Sequence, residues 1–121
     1  MIIKTWCRLG VLLVFLFAGI HSFAQVKFPD KPSPPRLVND MAHVMTEGEC
    51  SQLESKLRDF ERTTSNEITI VTIPELGDYD VSDYAIKLGK AWGVGKSGKN
   101  NGVVVLASIK DHKINISTGK G

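Results

Sequence analysis

Apolar positions along this chain recur with different periods, and each period predicts a different kind of segment. Leu9 to Ile20 is an unbroken apolar run of about a dozen residues behind Lys4 and Arg8. Further on, Cys50, Leu53, Leu57 and Phe60 fall on one helical face. Thr46-Glu47-Gly48-Glu49 just ahead of them has the form of a capping box, so a helix is predicted from there to about Thr63. Lys56, Arg58, Asp59, Glu61 and Arg62 make its solvated face. Ile68 to Ile73 is a β-branched run ending at Pro74, which predicts a strand. Val81, Tyr84, Ala85, Leu88 and Trp92 return to helical spacing and predict a second helix over 81–92. Val103 to Ile109 reads as a strand buried on both faces. Lys110-Asp111-His112-Lys113 reads as a hairpin turn, with Ile114 and Ile116 alternating along a returning strand.

The order helix, strand, helix, strand, hairpin, strand predicts an α/β class with helices covering a small mixed sheet. A strand, a crossover helix and a second buried strand form a right-handed unit with parallel strands. This topology sorts the loops. The first helix runs antiparallel to the strand that follows it, so its start lies near that strand's C-terminal end. Asp40, Glu75, Asp78, Asp80 and Asp111 are therefore predicted to gather where the parallel strands end, the usual place for ligands of open α/β sheets. Asp40 and Asp111, with Asp80 in reserve, are the candidate ligands for a hard cation, calcium or magnesium. Loop aspartates also cap helices and close turns with no ion involved. Both readings stand.

The opposite pole carries Gly93, Gly95, Lys96, Gly98, Lys99, Asn100, Asn101 and Gly102, joined by Gly119-Lys120-Gly121. Lys96, Lys99, Asn100, Asn101 and Gly102 form a basic loop against which an anion could dock. The stretch from Gly93 to Asn100 nearly spells a phosphate-binding loop, but Asn100 stands where Ser or Thr would hold magnesium. The context is also reversed: such a loop follows a strand and opens a helix, whereas this one follows a helix and opens a strand. Nucleotide hydrolysis by this motif is excluded. The Asn-Gly pair predicts a turn with positive φ instead.

The chain's ends refine the picture. Small residues at Ser22-Phe23-Ala24 suit cleavage before Gln25, so residues 1–24 read as a signal peptide and the chain as exported, periplasmic or extracytoplasmic. At about 1.5 Å per residue, the apolar run falls short of a bilayer of about 30 Å. An uncleaved anchor is the alternative. Cys7 precedes the apolar run, which is not the place of a lipid-modified cysteine. Losing Lys4 and Arg8, with no acidic residue, takes the formal charge from +2 to zero, against general nucleic-acid binding. Cys50 then remains as a single thiol, read as a buried helix residue, and no internal disulfide is possible. Pro29, Pro32, Pro34 and Pro35 exclude a regular helix over 25–36. That segment reads as a proline-rich linker, or else as a ligand for a proline-reading module. No HExxH, CxxC or GxSxG is present, and Asn115-Ile116-Ser117 is a sequon placed inside a predicted strand.

Three stretches carry a resemblance to the TPM domain family. They are Pro34 to Ala42 around Asp40, the block of Tyr84-Ala85, Trp92-Gly93-Val94-Gly95 and Lys99 to Leu106, and Asp111 to Gly121. The likeness covers about residues 34–121, with the domain itself placed at 37–121 and truncated at its C-terminus. The resemblance implies a Rossmann-like α/β/α sandwich that often binds a divalent cation. It also implies either an accessory module for envelope or membrane-protein complexes or a metal-dependent acid phosphatase acting on phosphomonoesters. A membrane tether beyond the C-terminus is a further family feature. Many members have Asp-Asn-Gly where this chain has Asn100-Asn101-Gly102, which removes one carboxylate.

Overall fold

The computed structural model describes residues 28–95 and 100–119. The predicted leader over 1–24, Lys96, Lys99 and Lys120-Gly121 lie outside the described residues. The elements are β1 (Val38–Asp40), α1 (Glu47–Thr64), β2 (Glu67–Ile73), α2 (Val81–Trp92), β3 (Gly102–Ser108) and β4 (Lys113–Thr118). One sheet runs in the order β1-β2-β3-β4. The first two pairings are parallel and the last is antiparallel. The α/β reading and the parallel β2-α2-β3 unit hold.

Both helices start and stop where local chemistry requires. The Thr46 hydroxyl accepts from the Glu49 amide at 3.2 Å, and the Glu49 carboxylate accepts from the Thr46 amide at 2.8 Å. Asp80 caps α2 through the Ser82 and Asp83 amides, and Gly93 ends it with φ at 64°. The register assigns the faces. Thr69, Val71 and Ile73 share a face with Val104, Leu106 and Ser108. There α2 presses Tyr84, Ala85, Leu88 and Trp92 onto Val71, Ile73, Val104 and Leu106. On the other face α1 packs Leu53 and Leu57 with Val38, Ile68 and Ile70.

The structure departs from these expectations in places. β1 was not among the predicted elements, because three residues are too few to show a period. Its strand character comes from its partner, through Ile70 donating to the Leu37 carbonyl and Met41 to that of Thr72. β3 is not buried on both faces: Val104 and Leu106 are buried, while Val103, Val105 and Ala107 are half-buried. The reason is that α1 lies over β1 and β2 and does not reach β3 or β4. Ile114 and Ile116, on the same face by register, are 71% and 64% exposed. Phe60 is exposed as well, and Cys50 is half-buried at the edge of the cluster around Leu37, Val38 and Leu57.

The segment read as a linker is docked from residue 28 onward. Phe28 packs edge-on against Tyr84 and Tyr79, with ring centroids 4.8 and 5.6 Å away. The Trp92 indole N–H donates to the Pro29 carbonyl, and the Lys31 ammonium donates to the Trp92 carbonyl, each at 2.8 Å.

Candidate functional site

Asp40, at the end of β1, holds the turn into α1. Its Oδ1 accepts from the Thr72 hydroxyl at 2.6 Å and the Val44 amide at 3.1 Å, and its Oδ2 accepts from the Met45 amide at 2.8 Å. The turn passes through His43 in the left-handed region, with φ at 53°. Thr72 is buried and also accepts from the Ala42 amide, so the hydroxyl links β2 to both ends of the turn. Burial pushes the Asp40 carboxyl up. The Thr72 hydroxyl, the Met45 and Val44 amides and His43 outweigh that and hold it below its ordinary value.

Asp111 does the same work two strands away. Its Oδ2 accepts from the Ser108 hydroxyl at 2.6 Å and the Leu76 amide at 2.8 Å. The hairpin between β3 and β4 is thereby tied to the loop leaving β2. Ile109 and Lys110 donate to the carbonyls of Ile73 and Pro74 alongside. The Ser108 hydroxyl, then the Leu76 amide, hold the Asp111 carboxyl below its ordinary value. Glu75 pairs with Lys110 at 3.0 Å on the exposed rim.

The three candidate ligands thus sit in three separate loops at the predicted pole, each accepting from its own donors. Among the described residues no group of three or more His, Cys, Asp or Glu side chains could hold a metal ion. The donors present do not fit a preformed three-carboxylate site. They do predict acid sensitivity. Both carboxylates stabilise the fold when ionised, so that contribution is complete above the unfolded value near 3.8 and fades as pH falls through the lowered folded values. The melting temperature is expected to hold from neutrality to about pH 5 and fall below about pH 4. Asp40→Asn and Asp111→Asn should melt lower at neutral pH and lose part of that acid slope; an unchanged slope in both would refute the assignment.

At the opposite pole the described glycines serve the chain itself. A Cβ on Gly102 would lie 2.5 Å from the Val94 carbonyl oxygen, and one on Gly95 would lie 2.6 Å from the Gly102 nitrogen. The positive φ expected of the Asn101-Gly102 pair falls one residue earlier, on Asn100 at 48°, because Gly102 already lies in β3. The Asn101 side chain donates to the Ser65 carbonyl at the end of α1, and its own carbonyl accepts from the Glu67 amide at 3.3 Å. Asn101 therefore joins the end of α1 to the starts of β2 and β3.

Sequence reasoning missed Glu54 and the docking of Phe28 to Lys31. Glu54 looks like one more polar position on α1. Its carboxylate, 19% exposed, accepts from the Leu37 amide at 3.0 Å and the Val38 amide at 2.7 Å, with Arg58 donating from the next turn at 3.1 Å. Only the Glu54–Arg58 spacing was visible beforehand. Asn39, on the opposite face of β1, keeps a buried Oδ1 with no donor.

The comparisons with known proteins agree with this fold. No curated protein matches the chain. The N-terminal domain of a protein from P. gingivalis, solved by solution NMR, is similar at 30% identity and a TM-score of 0.64, over 69% of this chain and 54% of that one. The N-terminal domain of the cg2496 protein from Corynebacterium glutamicum, at 13% identity, shares the fold alone, with a TM-score of 0.61 over 84% of this chain and 64% of that one. The chain thus spans a little over half of the first and under two thirds of the second. The family model described as the TPM domain matches residues 38–121, and the chain belongs to that family.

Proposed function

We propose that this chain is an exported TPM-domain module that acts as an accessory binding domain for envelope or membrane-protein complexes. The observation that carries the reading is the state of the acidic pole. Asp40, Asp80 and Asp111 each hold a loop in place through backbone amides or a hydroxyl. Carboxylates used in this way build a rigid rim, whereas hydrolysis needs them converging on one reacting centre. The basic, apolar start of the sequence supports export. The reading does not depend on calcium or magnesium at the rim.

Phosphomonoester hydrolysis is the second reading, favoured by the position of the pole at the C-terminal ends of the parallel strands. One experiment separates the two. The chain is titrated with calcium and with magnesium by calorimetry, and p-nitrophenyl phosphate hydrolysis is followed beside it. The module reading expects no metal-dependent turnover above buffer, with or without ion binding. Turnover that needs the metal and disappears in Asp40→Ala and in Asp111→Ala, both still folded, would replace it with the enzyme reading.

A further inference from the structure

We propose that the groove between the Tyr79–Tyr84 pair and Trp92 is a reading site for an extended aromatic-Pro-x-Lys segment, which the chain's own Phe28-Pro29-Asp30-Lys31 occupies in cis and an external segment of the same chemistry can displace. The inference is independent of the acidic pole.

The receptor side belongs to α2 and the loop before it. Tyr84 and Trp92 lie eight residues apart on one helix, about 12 Å at 1.5 Å per residue. Residues 28 to 31 span about 9 Å at the polyproline rise of 3.1 Å per residue, and the lysine stem bridges the remainder. The tyrosine rings stand edge-on to one another with centroids 5.9 Å apart, and Lys87 sits over Tyr79 at 5.0 Å, so the aromatic corner has contacts of its own besides those to the arm. At the other end Trp92 presents a donor and an acceptor side by side: its indole N–H and its backbone carbonyl near the helix C-terminus. An indole N–H donates only and a proline carbonyl accepts only, so the pair is complementary without help from a second backbone. A lysine at a helix C-terminus is also favoured by the helix dipole. Aromatic walls with a side-chain donor are the general means of reading a stiff proline-containing segment, which loses little entropy on docking.

Three observations make the arm a replaceable occupant. Among the described residues no backbone-to-backbone hydrogen bond joins 28–36 to the sheet, so side-chain anchors alone hold it. Its residues are half-buried or exposed along their whole length. The fit is also incomplete: a cavity of about 220 Å³ remains beside it, lined by Lys31, Arg36, Glu67, Thr69, Trp92 and Val94. A segment with a larger side chain at that point would fill space that the arm leaves open.

The test uses the full chain with Trp6→Phe, which leaves Trp92 as its one indole. The arm is loosened by Phe28→Ala with Lys31→Ala, and a peptide of residues 26–34 is titrated while Trp92 fluorescence is followed. An occupied groove weakens external binding by the fraction of time it is free. The loosened chain should therefore bind the peptide at least about tenfold more tightly than the chain with its arm intact. A peptide with alanine at the phenylalanine position should not bind. Equal binding to both chains, or no saturable response in a loosened chain with an intact cooperative melt, overturns the proposal. A loosened chain that no longer folds also overturns it, since the arm would then be part of the core. A second measurement needs no substitution in the arm: the Trp92 indole N–H should exchange with solvent much faster than the amides of β3. Exchange as slow as theirs would again make the arm permanent.

Discussion

Replacing Glu54 with alanine is expected to destabilise the domain by about 3–5 kcal/mol, a large share of the about 5–15 kcal/mol that holds a typical domain together. The Glu54 carboxylate accepts from the amides of Leu37 and Val38, at the point where the chain enters β1. Hydrogen bonds to a charged acceptor contribute about 1.5–3 kcal/mol each, and removing the acceptor leaves two amides without a partner beside the buried side chains of Leu37 and Val38. β1 has three residues and pairs on one side only, so it has little else to hold it. At about 4–8 °C per kcal/mol for a domain of this size, thermal melting should fall by more than about 12 °C. Glu54→Gln keeps one acceptor oxygen and loses the charge, so its loss should be about half. A Glu54→Ala melt no lower than that of Lys56→Ala, an exposed position on the same helix, would refute this account.

Gly102→Ala is expected to cost about 2–3 kcal/mol through overpacking against backbone that cannot move aside. The new Cβ would lie 2.5 Å from the Val94 carbonyl oxygen and 2.7 Å from the Gly95 nitrogen. Relief would require pulling the start of β3 from the end of α2, and Gly102 is paired there with Glu67 of β2. Gly48→Ala is the matched control. Its Cβ would meet nothing nearer than the Thr46 hydroxyl at 4.0 Å, inside a helix, so that variant should gain up to about 1 kcal/mol. Urea unfolding of the two variants checks the contrast. Equal and small effects would mean that the glycines serve something other than this close approach.

The two glycines separate what local pattern could show from what required contact. Both helices, β2, β3 and the hairpin were legible because burial imposes a period that single residues carry. The Thr46–Glu49 capping box was legible because its two bonds close within one turn. The parallel order of β2 and β3, and with it the gathering of Asp40, Asp80 and Asp111 at one pole, followed from the helices that precede and join these strands, each of which returns the chain antiparallel to them. What the carboxylates do at that pole was not legible. Asp40 meets Thr72 across 32 positions and Asp111 meets Leu76 across 35, and no local pattern marks either pair.

By itself, the amino-acid sequence determined the class, the order of every element after β1 and the membership of the TPM domain family. Tertiary structure alone decided that Leu37 and Val38 are held by a carboxylate from α1, that Phe28 to Lys31 are docked against α2, and that Ile114 and Ile116 stay exposed beyond the reach of α1. The physical reason is one of range. Periodicity and capping are settled by neighbours within a turn or two, whereas a lone glutamate, a proline-rich arm and an uncovered strand take their roles from partners distant in the chain.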